Sequence, residues 1–373
     1  MPKEIKRKRK VIVGMVGGAV LAGGLIGGII AISEILVQNE GVYQEKLNIF
    51  NWPESYGAIS TLLNINNDLY VGTSNGVYKI KDNASNTKDK IITPISGING
   101  YISSLVVTND GTVYVATFAN GLFRYSPEQN ILTQISEITG EVYSLVAMGN
   151  NVYVGTRTSD CYGKLFMIES NKKVSEIKDW IETYGEVRSL AVIDNDLYIG
   201  TKTGTYTGNL LIFKPNGILE LLKKWNQNNG EVWSLIVFGN DLYIGSRNQL
   251  YESRLFKLSL KGEKITETIG WRNNKNYGEI WSLAVVNNDL YVGSRVQVID
   301  NKFFKGGLYK SSDGGITFTE VFGWNKDYGA VVSLLLADNN LYIGSKNYSD
   351  KTNQNYQGKL FFKRMLNCKG KCN

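Results

Sequence analysis

Four glutamates recur at one place in a repeated pattern. Glu141, Glu186, Glu231 and Glu279 each follow a glycine and open a run of β-branched and aromatic residues. Two residues further on stand Tyr143, Arg188, Trp233 and Trp281. A basic residue then closes the next run: Arg157, Lys202, Arg247, Arg295 and, in a last copy without the glutamate, Lys346. Such a set supports two readings. One is a series of cross-strand ion pairs, repeated because the unit is repeated. The other is a polar, aromatic-lined funnel for a sugar or an anionic group, since aromatic faces stack on apolar sugar surfaces and Arg forks bind carboxylate or phosphate. Glu231 and Glu279, on neighbouring units, are also the residue type that glycosidases use in pairs, with their separation deciding the mechanism. The chain has no histidine. That excludes His-activated nucleophiles, His general acid–base catalysis and His-ligated metals. No catalytic residue, metal or cofactor is assigned, and binding is favoured over turnover.

The elements that must position these residues come in seven copies. Gly57, Gly100, Gly140, Gly185, Gly230, Gly278 and Gly329 start them, at spacings of 43, 40, 45, 45, 48 and 51 residues. Each copy, such as GEVWSLIVFGNDLYIGS (230–246), holds two strand-like runs joined by an Asn/Asp/Gly turn, which is a hairpin signal. A third run follows, such as SRLFKL (253–258), and then a fourth, predicted over 90–95, 131–136, 174–180, 218–225, 265–271 and 318–324. Four short strands at a period of about 45 make a propeller blade. The seventh copy supplies three strands by residue 363, and EKLNIFNW (45–52) reads as its fourth. The expected fold is therefore all-β: a seven-bladed β-propeller over 43–364 whose N-terminal strand closes the last blade. Trp52, Trp180, Trp225, Trp271 and Trp324, recurring at the ends of the fourth strands, are expected to pack between blades. The tyrosines at 70, 114, 153, 198, 243, 291 and 342 are expected in the core. Strand starts and second-to-third loops share one face, the top. Those loops are minimal in the first two blades and long in the rest, as at 294–307 and 345–359. Function is expected there, because long loops on a rigid scaffold usually carry it.

LYVGTSNGVYKI (69–80) and VYVATFANGLFRYSP (113–127) resemble regulator-propeller repeats, which belong to the sensing regions of some two-component systems and to the wider YVTN/WD40-like superfamily. The resemblance covers roughly 43–363 and implies fold more than function. Tyrosine mostly stands where those repeats often have tryptophan before the glycine. Ser311-Ser312-Asp313-Gly314-Gly315-Ile316-Thr317-Phe318 is similar to the Asp box of sialidase-like and sortilin-like propellers. There the motif is a hairpin between third and fourth strands and is not catalytic. Its residues here, Ser311, Asp313, Gly315, Thr317 and Phe318, are assigned a structural role. A sialidase would also imply an arginine triad and several such boxes, and the chain shows one.

The net charge of +7 points first to an anionic partner. Its distribution removes nucleic acid from the expectation. Residues 3–10 carry six basic residues and one acid, leaving 35 Lys/Arg against 33 Asp/Glu over 11–373. Residues 11–32 are uncharged and without strongly polar side chains. As a helix they span roughly 33 Å, enough for a bilayer core. The predicted order is a cytoplasmic basic tail (1–10), a transmembrane signal anchor (11–32), a linker (33–42), the exported propeller and a C-terminal tail (365–373). About ten cytoplasmic residues leave no kinase in cis. Gly14/Gly18, Gly23/Gly27 and Gly24/Gly28 make G-x-x-x-G spacings, a face for self-association in lipid. Cys368 and Cys372 are spaced to close a small disulfide outside the cell, and Cys161 is left over. The expected function is a membrane-anchored, extracytoplasmic module binding an envelope glycan or surface protein through the top face. The alternatives are a carboxylate-based carbohydrate-active enzyme and a solute-sensing ectodomain partnered in trans.

Overall fold

The computed structural model describes residues 37–39, 42–44, 47–81, 90–138, 140–160, 162–204, 206–248, 253–261, 264–272, 277–297, 304–348 and 356–365. The anchor expectation, the G-x-x-x-G glycines, Cys161 and the Cys368/Cys372 pair lie outside these residues, and of the 33–42 linker only 37–39 and 42 are described. The chain divides into two units, 1–46 with 367–373, and 47–366. In the first, Val37–Asn39 pairs antiparallel with Val42–Gln44.

The second unit is seven antiparallel sheets, each running inner, second, third and outer strand. The inner strands are Ile59–Ile65, Ile102–Val107, Glu141–Met148, Glu186–Ile193, Glu231–Phe238, Glu279–Val286 and Ala330–Ala337. Each touches the inner strand of both neighbouring blades, so the ring is closed. In blade 7 the outer strand is Asn48–Ile49, paired with Leu360–Arg364 by Asn48↔Phe362 and Ile49↔Phe361. The N-terminal strand thus ties the ring, as its sequence predicts.

Local chemistry explains the repeat. The seven blade-start glycines all have φ between 76° and 94°, which a β-carbon would strain. The inner-to-second turns also take positive φ, at Asn66–Asn67, Asn287–Asn288 and Asp338–Asn339, as primed hairpin turns require. The glycine of the second strand serves packing instead. A β-carbon on Gly245 would lie 2.3 Å from Ser234 of its own blade and 2.6 Å from Ile280 of the next.

The core is not one mass. It forms seven clusters, each filling the gap between two blades. Every cluster receives one of the recurring second-strand tyrosines, Tyr70, Tyr114, Tyr153, Tyr198, Tyr243, Tyr291 or Tyr342, all under a tenth exposed. The outer strands are shorter than expected, for example Val174–Glu176, Lys264–Glu267 and Thr319–Glu320. Pairing ends where the chain turns inward towards the next blade. Of the recurring tryptophans only Trp225 lies within its outer strand; the others fall beyond the pairing. Trp271 and Trp324 meet the third strand of the following blade, at Tyr309 (5.5 Å) and Phe361 (5.2 Å).

Candidate functional site at the ring axis

A shared irregularity aims the site residues. In all seven inner strands the pairing slips by one residue near the start, after the first pair in blades 1 and 2 and after the second in blades 3–7. The extra residues are Ser60, Ser103, Tyr143, Arg188, Trp233, Trp281 and Val332. Such a bulge bends the strand and redirects its unpaired side chain. The glutamates sit two residues earlier, at the same strand ends. Each faces its basic residue in register: Glu141↔Arg157, Glu186↔Lys202, Glu231↔Arg247 and Glu279↔Arg295. The eleven charged residues and tryptophans of blades 3–6, with Tyr143, therefore converge at one end of the ring. Lys346 joins them opposite Ala330.

The ion pairs do not simply follow that register. Arg157 reaches forward to Glu186 of the next blade (Nε to Oε1, 3.3 Å) as well as its own Glu141 (3.5 Å). Lys202 lies 3.9 Å from Glu231 of blade 5, and Arg247 lies 3.0 Å from Glu279 of blade 6. Arg295 closes on its own Glu279 at 2.8 Å. Arg188 pairs with Glu186 on the same strand. The charge ladder thus links blades 3 to 6 to one another. Glu186, Glu231 and Glu279 are at most 2 % exposed, so these pairs differ from solvated surface bridges.

Above the carboxylates runs a belt of rings and cations. The Arg188 guanidinium lies 3.9 Å from the Tyr143 ring and 5.1 Å from that of Trp233. Trp233 and Trp281 lie 5.7 Å apart, with Arg247 against the first (5.3 Å) and Arg295 against the second (4.9 Å). Phe118 bridges Tyr143 and Tyr101, and Lys346 lies 5.1 Å from the Tyr101 ring. Lys346 thereby reaches from blade 7 past blade 1, whose lining residues are the small Ala58 and Ser60. Burial, with Arg295 nearby, pushes Lys346 down to about 8. Burial raises the Glu231 carboxyl above its usual range, against the opposing pull of Lys202, Arg247 and Arg188. Cations interleave with the glutamates, and among the described residues no three acidic or cysteine side chains gather as metal ligands.

Tyr101 and Phe118 belong to this belt and escape the repeat pattern, because blade 2 has neither the glutamate nor the basic residue. The tyrosines of the Tyr-Gly pairs are a further packing feature visible in the sequence. Tyr56, Tyr277 and Tyr328 each clamp the next blade beside the recurring tryptophan, as Tyr328 does on Phe361 at 4.8 Å. Ser311–Phe318 lies elsewhere, as the turn between the third and outer strands of blade 6. Asp313 accepts from the backbone N–H groups of Ile316 (3.1 Å) and Thr317 (2.9 Å) and from the Ser311 and Thr317 hydroxyls. Those donors hold its carboxyl down at about 2. The long loops after the second strands of blades 6 and 7 extend the sheets by Val296↔Lys305 and Asn347↔Gln357.

No protein-family model and no curated protein matches the chain. Solved structures do. The extracellular domain of a protein described as a one-component system of B. thetaiotaomicron aligns at 17% identity and a TM-score of 0.61, covering 85% of this chain and 40% of that one. The extracellular domain of a protein described as a hybrid two-component system of the same organism gives 15%, 0.63, 85% and 41%. Virginiamycin B lyase from Staphylococcus aureus gives 13% and 0.59, covering 84% of this chain and 97% of that one. This chain spans about two-fifths of the two B. thetaiotaomicron chains. Likeness at these identities establishes the fold alone, a β-propeller, and the seven sheets of this chain give the blade count.

Proposed function

We propose that the chain is a membrane-anchored binding module whose propeller lies outside the cytoplasm and takes an envelope glycan or surface-protein segment at the axial mouth of blades 3–6. Residues 11–32 serve as the span and the basic tail as its cytoplasmic flank. One observation carries the reading: a seven-fold scaffold bears its four glutamates and both lining tryptophans on four consecutive blades, while the equivalent positions hold Ala330 and Val332 in blade 7, Ala58 and Ser60 in blade 1, and Tyr101 and Ser103 in blade 2. Fold symmetry demands no such crescent, whereas an asymmetric ligand does. Six cations (Arg157, Arg188, Lys202, Arg247, Arg295 and Lys346) against four glutamates favour an anionic group on the ligand. Ser311–Phe318 fits the structural role of an Asp box, since Asp313 spends its oxygens on its own turn. The similarity to extracellular domains of component systems supports a second reading, a solute-sensing ectodomain with a partner in trans. The test is crosslinking and pull-down from intact cells with the native chain and Arg247→Glu/Arg295→Glu. We expect the captured glycan or protein to be lost in the double variant; undiminished capture excludes the mouth as the site.

A further inference from the structure

Glu231 breaks the donor pattern of its neighbours. The Tyr143 hydroxyl donates to Glu141 (3.2 Å), Arg188 donates to Glu186, and Trp281 Nε1 donates to Glu279 (2.8 Å). Trp233 holds the same bulge position in blade 5 but does not donate to Glu231. Both Glu231 carboxylate oxygens lack any hydrogen bond, although the residue is 1 % exposed. The cause lies in the residue types. Blade 4 offers Lys202 where blades 3, 5 and 6 carry arginine, and its Nζ stops 3.9 Å short. Arg247, which faces Glu231 in register, turns to Glu279 instead, at 3.0 Å. Native structures rarely leave a buried acceptor unmet, and each case asks for a partner.

We propose that this partner is a hydroxyl of a bound saccharide, with Glu231 as the residue that tells a polyhydroxylated ligand from a bare anion. The inference rests on the reading of the mouth as a ligand site and names the chemistry of one wall. The groups acting on Glu231 are Lys202, Arg247 and Arg188, with Glu186 beyond. A ligand cation would meet three positive charges, and a bare anion would meet the carboxylate. A neutral O–H avoids both: it donates to Glu231 while its oxygen accepts from a neighbouring N–H donor. The Trp233 and Trp281 rings beside it suit the C–H face of a sugar. Lys202, with 27% of its side chain exposed and no closer hold, is the cover that yields as the hydroxyl enters.

Two acids separate the parts of this claim. D-Glucuronate and cyclohexanecarboxylate share a carboxylate on a six-membered ring, and only the first carries hydroxyls. Titration of the full chain, read by tryptophan fluorescence, is expected to show glucuronate binding about tenfold tighter, the scale of one buried hydrogen-bond partner. Glu231→Leu equalises the two acids, while Glu231→Gln, whose amide oxygen still accepts, keeps most of the preference. Melting curves establish that each variant is folded, and Glu231→Met, close in volume to glutamate and without a strong acceptor, carries the comparison if the leucine variant is not. Equal binding of both acids by the native chain, lost in Arg295→Glu, overturns the role of Glu231 and leaves the mouth as an anion site. Retained preference in Glu231→Leu does the same. Binding of neither acid overturns the saccharide inference together with the anionic-glycan reading beneath it.

Discussion

Two buried carboxylates one blade apart respond oppositely to the same change. Glu279 is held by Arg247, Arg295 and the Trp281 N–H, so its charge is compensated without water. Replacing it with glutamine strands two guanidinium groups, and breaking a buried pair in this way costs on the order of 3 kcal/mol. Glu231 has a distant lysine and no hydrogen bond, and burial raises its pKa above the unfolded value. A raised carboxyl binds its proton more tightly folded than unfolded. Stability is therefore lost as pH rises from the unfolded pKa through the folded one. Glu231→Gln removes that loss. We expect urea melts at pH 7 to show Glu279→Gln destabilised and Glu231→Gln at least as stable as the native chain, with the Glu231→Gln difference shrinking near pH 4. A loss in Glu231→Gln equal to that in Glu279→Gln refutes the contrast. The same geometry bears on turnover. A glutamate locked by two arginines is poorly suited to proton transfer, which weakens the Glu231/Glu279 glycosidase pairing.

At the scale of the element, two glycines that share a positive φ are expected to tolerate substitution very differently. Gly230 (φ 82°) opens blade 5, where a β-carbon would sit 2.0 Å from the Arg247 carbonyl oxygen. Gly239 (φ 63°) turns the hairpin of the same blade, with nothing within 4 Å of the added atom. Gly239→Asn should leave the melting temperature nearly unchanged, since asparagines already hold the equivalent turns of blades 1 and 6. Gly230→Ala should lower it by several degrees, combining backbone strain with a backbone clash. Similar losses in both variants would mean that the positive φ alone governs. This distinction explains what the sequence can and cannot disclose. Turn chemistry and strand alternation are local, so the seven inner hairpins and their tyrosines are legible. Within-blade register also places Glu231 opposite Arg247. The choice of Glu279 by Arg247 depends on how one blade sits against the next, and no spacing within a blade encodes that. The bulge is hidden for the same reason: GEVWS reads as regular alternation until the paired strand shows the slip.

The whole molecule depends on one short pairing that is distant in sequence. Blade-to-blade packing is sequential everywhere except between blades 7 and 1, where residues near 50 must find residues near 360. Asn48 and Ile49 supply the outer strand, the Phe50 N–H bonds Leu360 O at 2.9 Å, and the Phe50 ring packs on Phe362 (5.3 Å). Trp52 then starts the blade 7–blade 1 cluster against Tyr78. Removing residues 1–52 would leave a three-stranded blade with an open edge, which invites pairing with another chain. It would also remove Phe50 and Trp52 from one of seven interfaces. Removing only residues 1–40 spares every one of these contacts. The shorter deletion should therefore melt like the intact propeller, and the longer one should melt well below it and sediment as oligomers or aggregates. Phe50→Ala, which keeps the strand but deletes a buried ring, should fall between them, losing about 3–5 kcal/mol. If the 53–373 chain remained monomeric with an unchanged transition, ring closure would have to reside in the inner strands of blades 7 and 1. Those strands already touch, and they would then be sufficient on their own.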